Sequence, residues 1–178
     1  MLGRLIGVIH ALTNLAAVAA GLIILGLVGA MVYEVVMRYF LNAPTMWAFE
    51  LSYMFMGASF TLAIAYALKE RAHVRMDLIY DHMPARAQAV IDLAGFGLLI
   101  LPLSLWLTWR LGWYAHDAFV TGEVSGKSAW NPQVWQFRTA LAVGFLVFSL
   151  QLVAEIVLAT RTLVTGRVDQ RPAAGNAP

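Results

Sequence analysis

The sequence predicts an all-α integral membrane protein with four transmembrane helices. Of its 178 residues, 61% are hydrophobic and only 12% are charged, against the roughly 25% charged residues of a soluble domain. Mean hydropathy is +0.72, and the apolar residues come in long blocks instead of alternating with polar ones. A helix rising 1.5 Å per residue needs roughly 20 apolar residues to cross about 30 Å of hydrocarbon. Four blocks approach or exceed that length.

The first runs from Ala11 to Tyr33, 23 residues without a charge. Arg4 followed by "AVA" (Ala17 to Ala19) has the outline of a secretory signal with its cleavage site. The apolar run continues well past it, so an uncleaved first span is the better reading. Leu51 to Leu68 supplies eighteen uncharged residues for the second span. Leu93 to Trp109 supplies seventeen for the third, with Pro102 inside as an expected kink. "LGWYAHDAFV" continues the third helix beyond the membrane, and Trp106, Trp109 and Trp113 fall on one of its faces. "TGEVSGKSAW" reads as a turn, and "WNPQVW" places Pro132 in the first turn of the fourth helix, where a missing N–H costs nothing. The fourth span starts near Thr139, meets Glu155 and resumes to Ala159. The predicted spans are thus about 9–36, 47–68, 88–112 and 134–159, with interfacial segments in the connections. Residues 1–167 form one domain, and 168–178 read as a frayed tail.

Orientation follows from basic residues. With four spans, the N-terminus, the 69–92 connection and the C-terminus share a side, which holds Arg4, Lys69, Arg71, Arg75, Arg86, Arg161, Arg167 and Arg171. The other side holds Arg38, Arg110, Lys127 and Arg138. Eight against four argues that both termini are cytoplasmic. The net charge of +2 is too small to suggest nucleic acid, and the absence of cysteine excludes disulfides and thiolate chemistry.

The polar residues are few. "KERAHVRMD" (Lys69 to Asp77) sits between apolar runs and reads first as a topology-setting loop. His73, Asp77 and Asp81 are spaced i, i+4, i+8, which would line one helical face, but no further metal ligand has suitable spacing. Glu34 and Arg38 are an i, i+4 pair near the end of helix 1, and Gln151 and Glu155 are another inside helix 4. Glu50 follows Trp47 at the start of helix 2. A charge at mid-bilayer costs on the order of 3 kcal/mol, so such groups face protein or water. No phosphate loop, acid–base pair or nucleophilic triad is present. The histidines (His10, His73, His82 and His116) avoid the middle of every clean span and are badly placed for haem. Nothing here reads as an enzyme. Close helix approach is expected at Gly21, Gly26, Gly29 and Ala30 of helix 1 and at Gly57, Ala58 and Ser59 of helix 2.

"RYFLNAPTMWAFE" (Arg38 to Glu50), then "HVRMD" (His73 to Asp77), then "WNPQVWQFR" with Gln151 and Glu155 downstream, occur in an order and spacing that resemble one family. It is the small, Q-type membrane subunit of tripartite ATP-independent periplasmic (TRAP) transporters, and the resemblance covers roughly residues 5 to 165. It implies a secondary transport system for organic acids in the bacterial inner membrane. A periplasmic binding protein delivers the substrate, and a large multi-span subunit carries the substrate and sodium sites. This chain would carry no cofactor and would brace that large subunit. By position, the resemblance assigns Asn42, Pro44, Trp47 and Glu50 to the ordered start of helix 2, and Arg38, at the end of helix 1, opens the same segment. His73, Arg75 and Asp77 fall in the cytoplasmic connection, and Trp130, Pro132, Gln151 and Glu155 belong to helix 4. All are structural or partner-facing in this reading. The rival readings are an autonomous small transporter or channel acting as a homo-oligomer, and the membrane anchor of a respiratory enzyme.

Overall fold

Helix α1 spans Leu2–Phe40, and α2 spans Ala48–Lys69. The computed structural model describes residues 2–70 and 84–165. From residue 85 come α3 (Ala85–Asp92), a π-helical stretch over Leu93–Ile100 and α4 (Leu101–Thr121), which follow one another without a loop. The last helix, α5, spans Trp135–Thr165. There is no strand among the described residues, only an isolated bridge between Val124 and Gln133. Among the described residues, four helices are long and apolar enough to cross a membrane: Gly3–Phe40, Ala48–Lys69, Val90–Thr121 and Trp135–Val164.

Pro102 does not break the third of these. Its ring lacks an N–H and crowds the carbonyl four residues back. The chain answers by widening the preceding two turns into a π-helix, where the Leu101 N–H reaches the Phe96 carbonyl. The proline is accommodated by a change of helical register.

Helix α5 is the hub. It packs against α1, α2, α3, the π-helical stretch and α4, and it is the most buried of the four spans, with 44% of its most apolar window covered. Among the described residues the third span packs chiefly on α5, and only 6% of its window is covered. Lipid gives helices little hydrophobic reason to associate, so contacts must come from packing and polar groups. Ala65, Leu68, Phe148 and Leu152 form one apolar cluster, and Ala16, Ala20 and Leu62 form a second.

The tightest crossing is between α2 and α5. A Cβ added at Gly144 would lie 2.7 Å from the backbone C and O of Thr61, so only glycine permits this approach. Gly57 lies under the Phe137 ring and Gly26 under Phe55, while Ala30, Ala58 and Ser59 are buried. Gly21 and Gly29 were expected at contacts too, but a Cβ at either meets nothing within 4 Å. They lie on the outer side of α1 with Leu22, Leu25 and Val28, all well exposed.

The helices differ greatly in length. At 1.5 Å per residue, α1 with its 39 residues is about 58 Å long, α2 with 22 about 33 Å and α5 with 31 about 46 Å. Lys69 at the end of α2 donates to the Asn14 side chain at 2.7 Å, so the first twelve or so residues of α1 project past α2.

Candidate functional site

The candidate residues within the described regions divide between two levels of the bundle. One is the loop end, where residues 41–47 join α1 to α2 and residues 122–134 join α4 to α5. The other lies toward the end that carries both termini. Along α5 the two levels, Arg138 and Gln151, are about 20 Å apart.

At the loop end, Arg38 donates to Glu34 Oε1 through Nε at 2.9 Å and through Nη2 at 2.5 Å. This is the i, i+4 pair read from the sequence. The other Glu34 oxygen accepts from the Thr45 backbone N–H at 3.0 Å and from the Thr45 hydroxyl. One buried carboxylate therefore holds both its own helix end and the loop that follows. Asn42 turns the chain with φ 49°, a left-handed conformation that Asn tolerates better than most residues. The Ala43 N–H then reaches back to the Met37 carbonyl at 3.0 Å, and Pro44 stops the helix from continuing. Trp47 stacks on Tyr33, with ring centroids 5.7 Å apart.

Glu50 sits in the first turn of α2, where a negative charge suits the helix dipole. Its side chain is 0% exposed, and Oε1 accepts from the Ser125 hydroxyl at 2.5 Å. Its Oε2 is buried without a hydrogen-bond partner among the described residues. Ser125 belongs to the other loop, so this contact ties the two loops together.

That second loop is pinned in several places. Gly122, with φ 64°, caps α4 as the Glu123 N–H returns to the Ala118 carbonyl at 3.1 Å. The Ser125 N–H donates to the Pro132 carbonyl at 3.0 Å, and the Val134 N–H to the Glu123 carbonyl at 3.1 Å. The Gly126 N–H donates to Asn131 Oδ1 at 2.6 Å. Pro132 was expected in the first turn of the fourth helix. Its carbonyl is instead engaged by Ser125, and α5 begins only at Trp135. Trp130 is an exposed residue of the same loop.

Arg138, one turn into α5, grips Glu123 with a two-pronged fork, each N···O distance 2.6 Å. Its guanidinium carbon lies 3.4 Å from the centre of the Tyr114 ring. The fork's hydrogen bonds hold the Glu123 carboxyl below its ordinary value of 4.5; desolvation opposes this, and charge attraction to Arg138 adds to it.

At the other level, the Thr13 hydroxyl donates to Gln151 Oε1 at 3.0 Å, and Gln151 Nε2 donates to Glu155 Oε1 at 2.9 Å. Thr13 and Gln151 are fully buried, and Glu155 nearly so. The chain of contacts links α1 to α5. Between the two levels, Ser149 donates to Ser104 at 3.1 Å across the α4–α5 contact.

His73, Arg75 and Asp77 lie outside the described residues, as does the 168–178 tail. Of the other candidates, Arg38 and Glu50 make hydrogen bonds at the loop end, and Gln151, held by Glu155 on its own helix, meets Thr13 of α1. Thr13, Thr45, Ser125, Glu123 and the Arg138–Tyr114 stack were not singled out from the sequence. The signals that could have found them were faint: a lone Thr in a charge-free run, and turn residues (Gly122, Gly126, Asn131) bracketing an acid and a base. Among the described residues, no group of three or more His, Asp or Glu could hold a metal ion. What the arrangement does chemically is fix helix ends, loop to loop and helix to helix.

A family model described as "Tripartite ATP-independent periplasmic transporters, DctQ component" matches residues 27–162, well over half of the chain. Searches among curated proteins and among solved structures return no match.

Proposed function

We infer the role of this chain from its family: it belongs to the DctQ components of the tripartite ATP-independent periplasmic transporters. It is a membrane-embedded component of a transport system, in a family of transporter components and not of enzymes. We propose that it braces the large membrane subunit, which binds sodium and substrate, during ion-driven uptake of organic acids that a periplasmic protein delivers. In this reading it lies in the bacterial inner membrane with both termini cytoplasmic, and it holds no cofactor of its own.

One observation carries the proposal. The polar groups of the candidate site bind one another and hold the helix ends, while the third span stays almost uncovered on α5. A brace needs such a division: fixed internal joints, and a long apolar face left for a neighbour. Packing and interhelical polar contacts would hold that neighbour, since lipid offers no hydrophobic drive.

The test is purification of the tagged chain from its host in mild detergent, with mass spectrometry of its stoichiometric companions. One large, many-span membrane protein is the expected companion. Recovery of the chain alone, or only as a homo-oligomer, would contradict the proposal and make autonomous transport after reconstitution the next measurement.

A further inference from the structure

Arg110 and Asp117 stand on the same face of α4, seven positions and about 10 Å apart along the axis. They line a surface groove of about 520 Å³ with Trp106, Leu107, Trp113 and Tyr114. Among the described residues, neither charged side chain has an ion-pair or hydrogen-bond partner. Arg110 therefore has no charge to meet it among the described residues, and Asp117 feels only the longer-range attraction of Arg138, on a helix whose apolar surface is otherwise turned outward. A lone Arg on a membrane helix is costly unless something meets it.

The surroundings fix the depth. Tyr114, one turn from Arg110 toward the loop end, packs under Arg138 in the first turn of α5. Trp106, Trp109 and Trp113 are all exposed beside it, and Trp and Tyr favour the boundary between headgroups and hydrocarbon. Arg110 thus lies within this aromatic band and Asp117 on its water side.

We propose that this groove binds a phospholipid with a primary-ammonium headgroup. In a lipid leaflet the phosphate lies deeper and the ammonium farther out. The groove presents a guanidinium deeper and a carboxylate farther out, so both ends of the headgroup meet the opposite charge. The Arg fork suits a phosphate, and the carboxylate can accept a hydrogen bond from –NH3⁺ but not from a quaternary ammonium. Trp106, Leu107 and Leu111 form the apolar wall for the glycerol and upper acyl chain. An anionic lipid without an amine would satisfy Arg110 and be repelled by Asp117. The proposal depends only on the third span's crossing the bilayer, not on the transport role.

The test uses the full chain, both alone and with its co-purified companions, in mild detergent. After delipidation it is offered phosphatidylethanolamine, phosphatidylcholine and phosphatidylglycerol in competition and weighed by native mass spectrometry. Phosphatidylethanolamine is expected to be retained in preference. Arg110→Gln should weaken retention of all three lipids about ten-fold, the scale of one lost charge-assisted contact. Asp117→Asn should abolish the preference for phosphatidylethanolamine over phosphatidylcholine while leaving phosphate-dependent retention in place. Should a variant fail to fold by circular dichroism, quenching of the native chain's tryptophan fluorescence by brominated phosphatidylethanolamine, against the brominated choline lipid, decides the question. Equal retention of the three lipids, a preference for phosphatidylglycerol, or no effect of either substitution would overturn the proposal. So would loss of the lipid in the companion-bound form, which would mean that a protein helix occupies the groove.

Discussion

Glu50 and Ser125 are 75 positions apart and joined by a 2.5 Å hydrogen bond between a fully buried carboxylate and a loop hydroxyl. Among the described residues the second Glu50 oxygen has no partner, and this bond is the carboxylate's one side-chain tie to the rest of the bundle. Ser125→Ala should cost about 1–3 kcal/mol, the penalty for stripping a buried acceptor. Glu50→Ala in the same chain should recover part of that loss. A double-mutant cycle on unfolding in detergent measures the coupling, and strictly additive effects would show that the bond contributes nothing. Under the brace reading, Glu50→Ala also lowers recovery of the large subunit while the isolated binding protein keeps its substrate affinity. A changed affinity there would count against the reading.

The Glu123–Arg138 fork gives the loop end a pH dependence. The Glu123 carboxyl is held below its ordinary 4.5 in the folded chain. Its contribution is therefore complete above 4.5 and is lost as pH falls through the lower, folded value. Unfolding midpoints measured from neutral pH down into the acid range should drop below 4.5 for the native chain, and Glu123→Gln should flatten that drop. Identical profiles would exclude the fork as its source. Arg138→Lys should lose stability at neutral pH as well, because lysine can neither make the fork nor stack flat on Tyr114.

Gly144 and Gly21 form a matched pair of substitutions. Gly144→Ala drives a methyl into the Thr61 backbone, which cannot yield as a side-chain tip can. A cost of about 1–3 kcal/mol is expected from such overpacking. Gly21→Ala meets open space and should be neutral or slightly stabilising. Unfolding in detergent compares the two, and equal tolerance would mean that α2 and α5 are not pressed together at this crossing.

Topology can be read directly, because the chain has no cysteine to remove. Ser128→Cys in the second loop should react with a membrane-impermeant maleimide added to intact cells stripped of their outer membrane. Gly3→Cys near the N-terminus should react only after permeabilisation. The reverse pattern would invert the proposed orientation.

The sequence disclosed what intrahelical geometry and lipid impose. Four apolar runs follow from the thickness of the hydrocarbon, and Glu34–Arg38 and Gln151–Glu155 follow from the i, i+4 spacing of one helix. The partners that complete these pairs were hidden, because helix packing selects them over long sequence separations. Thr45 lies 11 positions from Glu34, and Thr13 lies 138 from Gln151. Glycines show the same limit. Small residues on α1 looked equivalent in the sequence, yet rotation about the helix axis puts Gly26 against Phe55 and turns Gly21 and Gly29 outward. Helix α5 starts after Pro132 because a hydrogen bond within the second loop, not local propensity, claims the Pro132 carbonyl.

The unequal helices have a consequence for the bilayer itself. Helix α2, with 22 residues, is about as long as a hydrocarbon core is thick, while α1 and α5 outrun it. Lys69 fixes where α2 ends against α1, so the excess of α1 is gathered on one side as a projecting apolar edge bearing Leu5, Val8 and Leu12. Lipids around this chain cannot all meet the same hydrophobic height. The leaflet on the terminal side must thicken along α1 or the whole bundle must lean, at a cost of a fraction of a kcal/mol for each ångström of mismatch. Acyl-chain length thus becomes a variable that sets the tilt of this chain, and with it the angle it presents to any membrane neighbour.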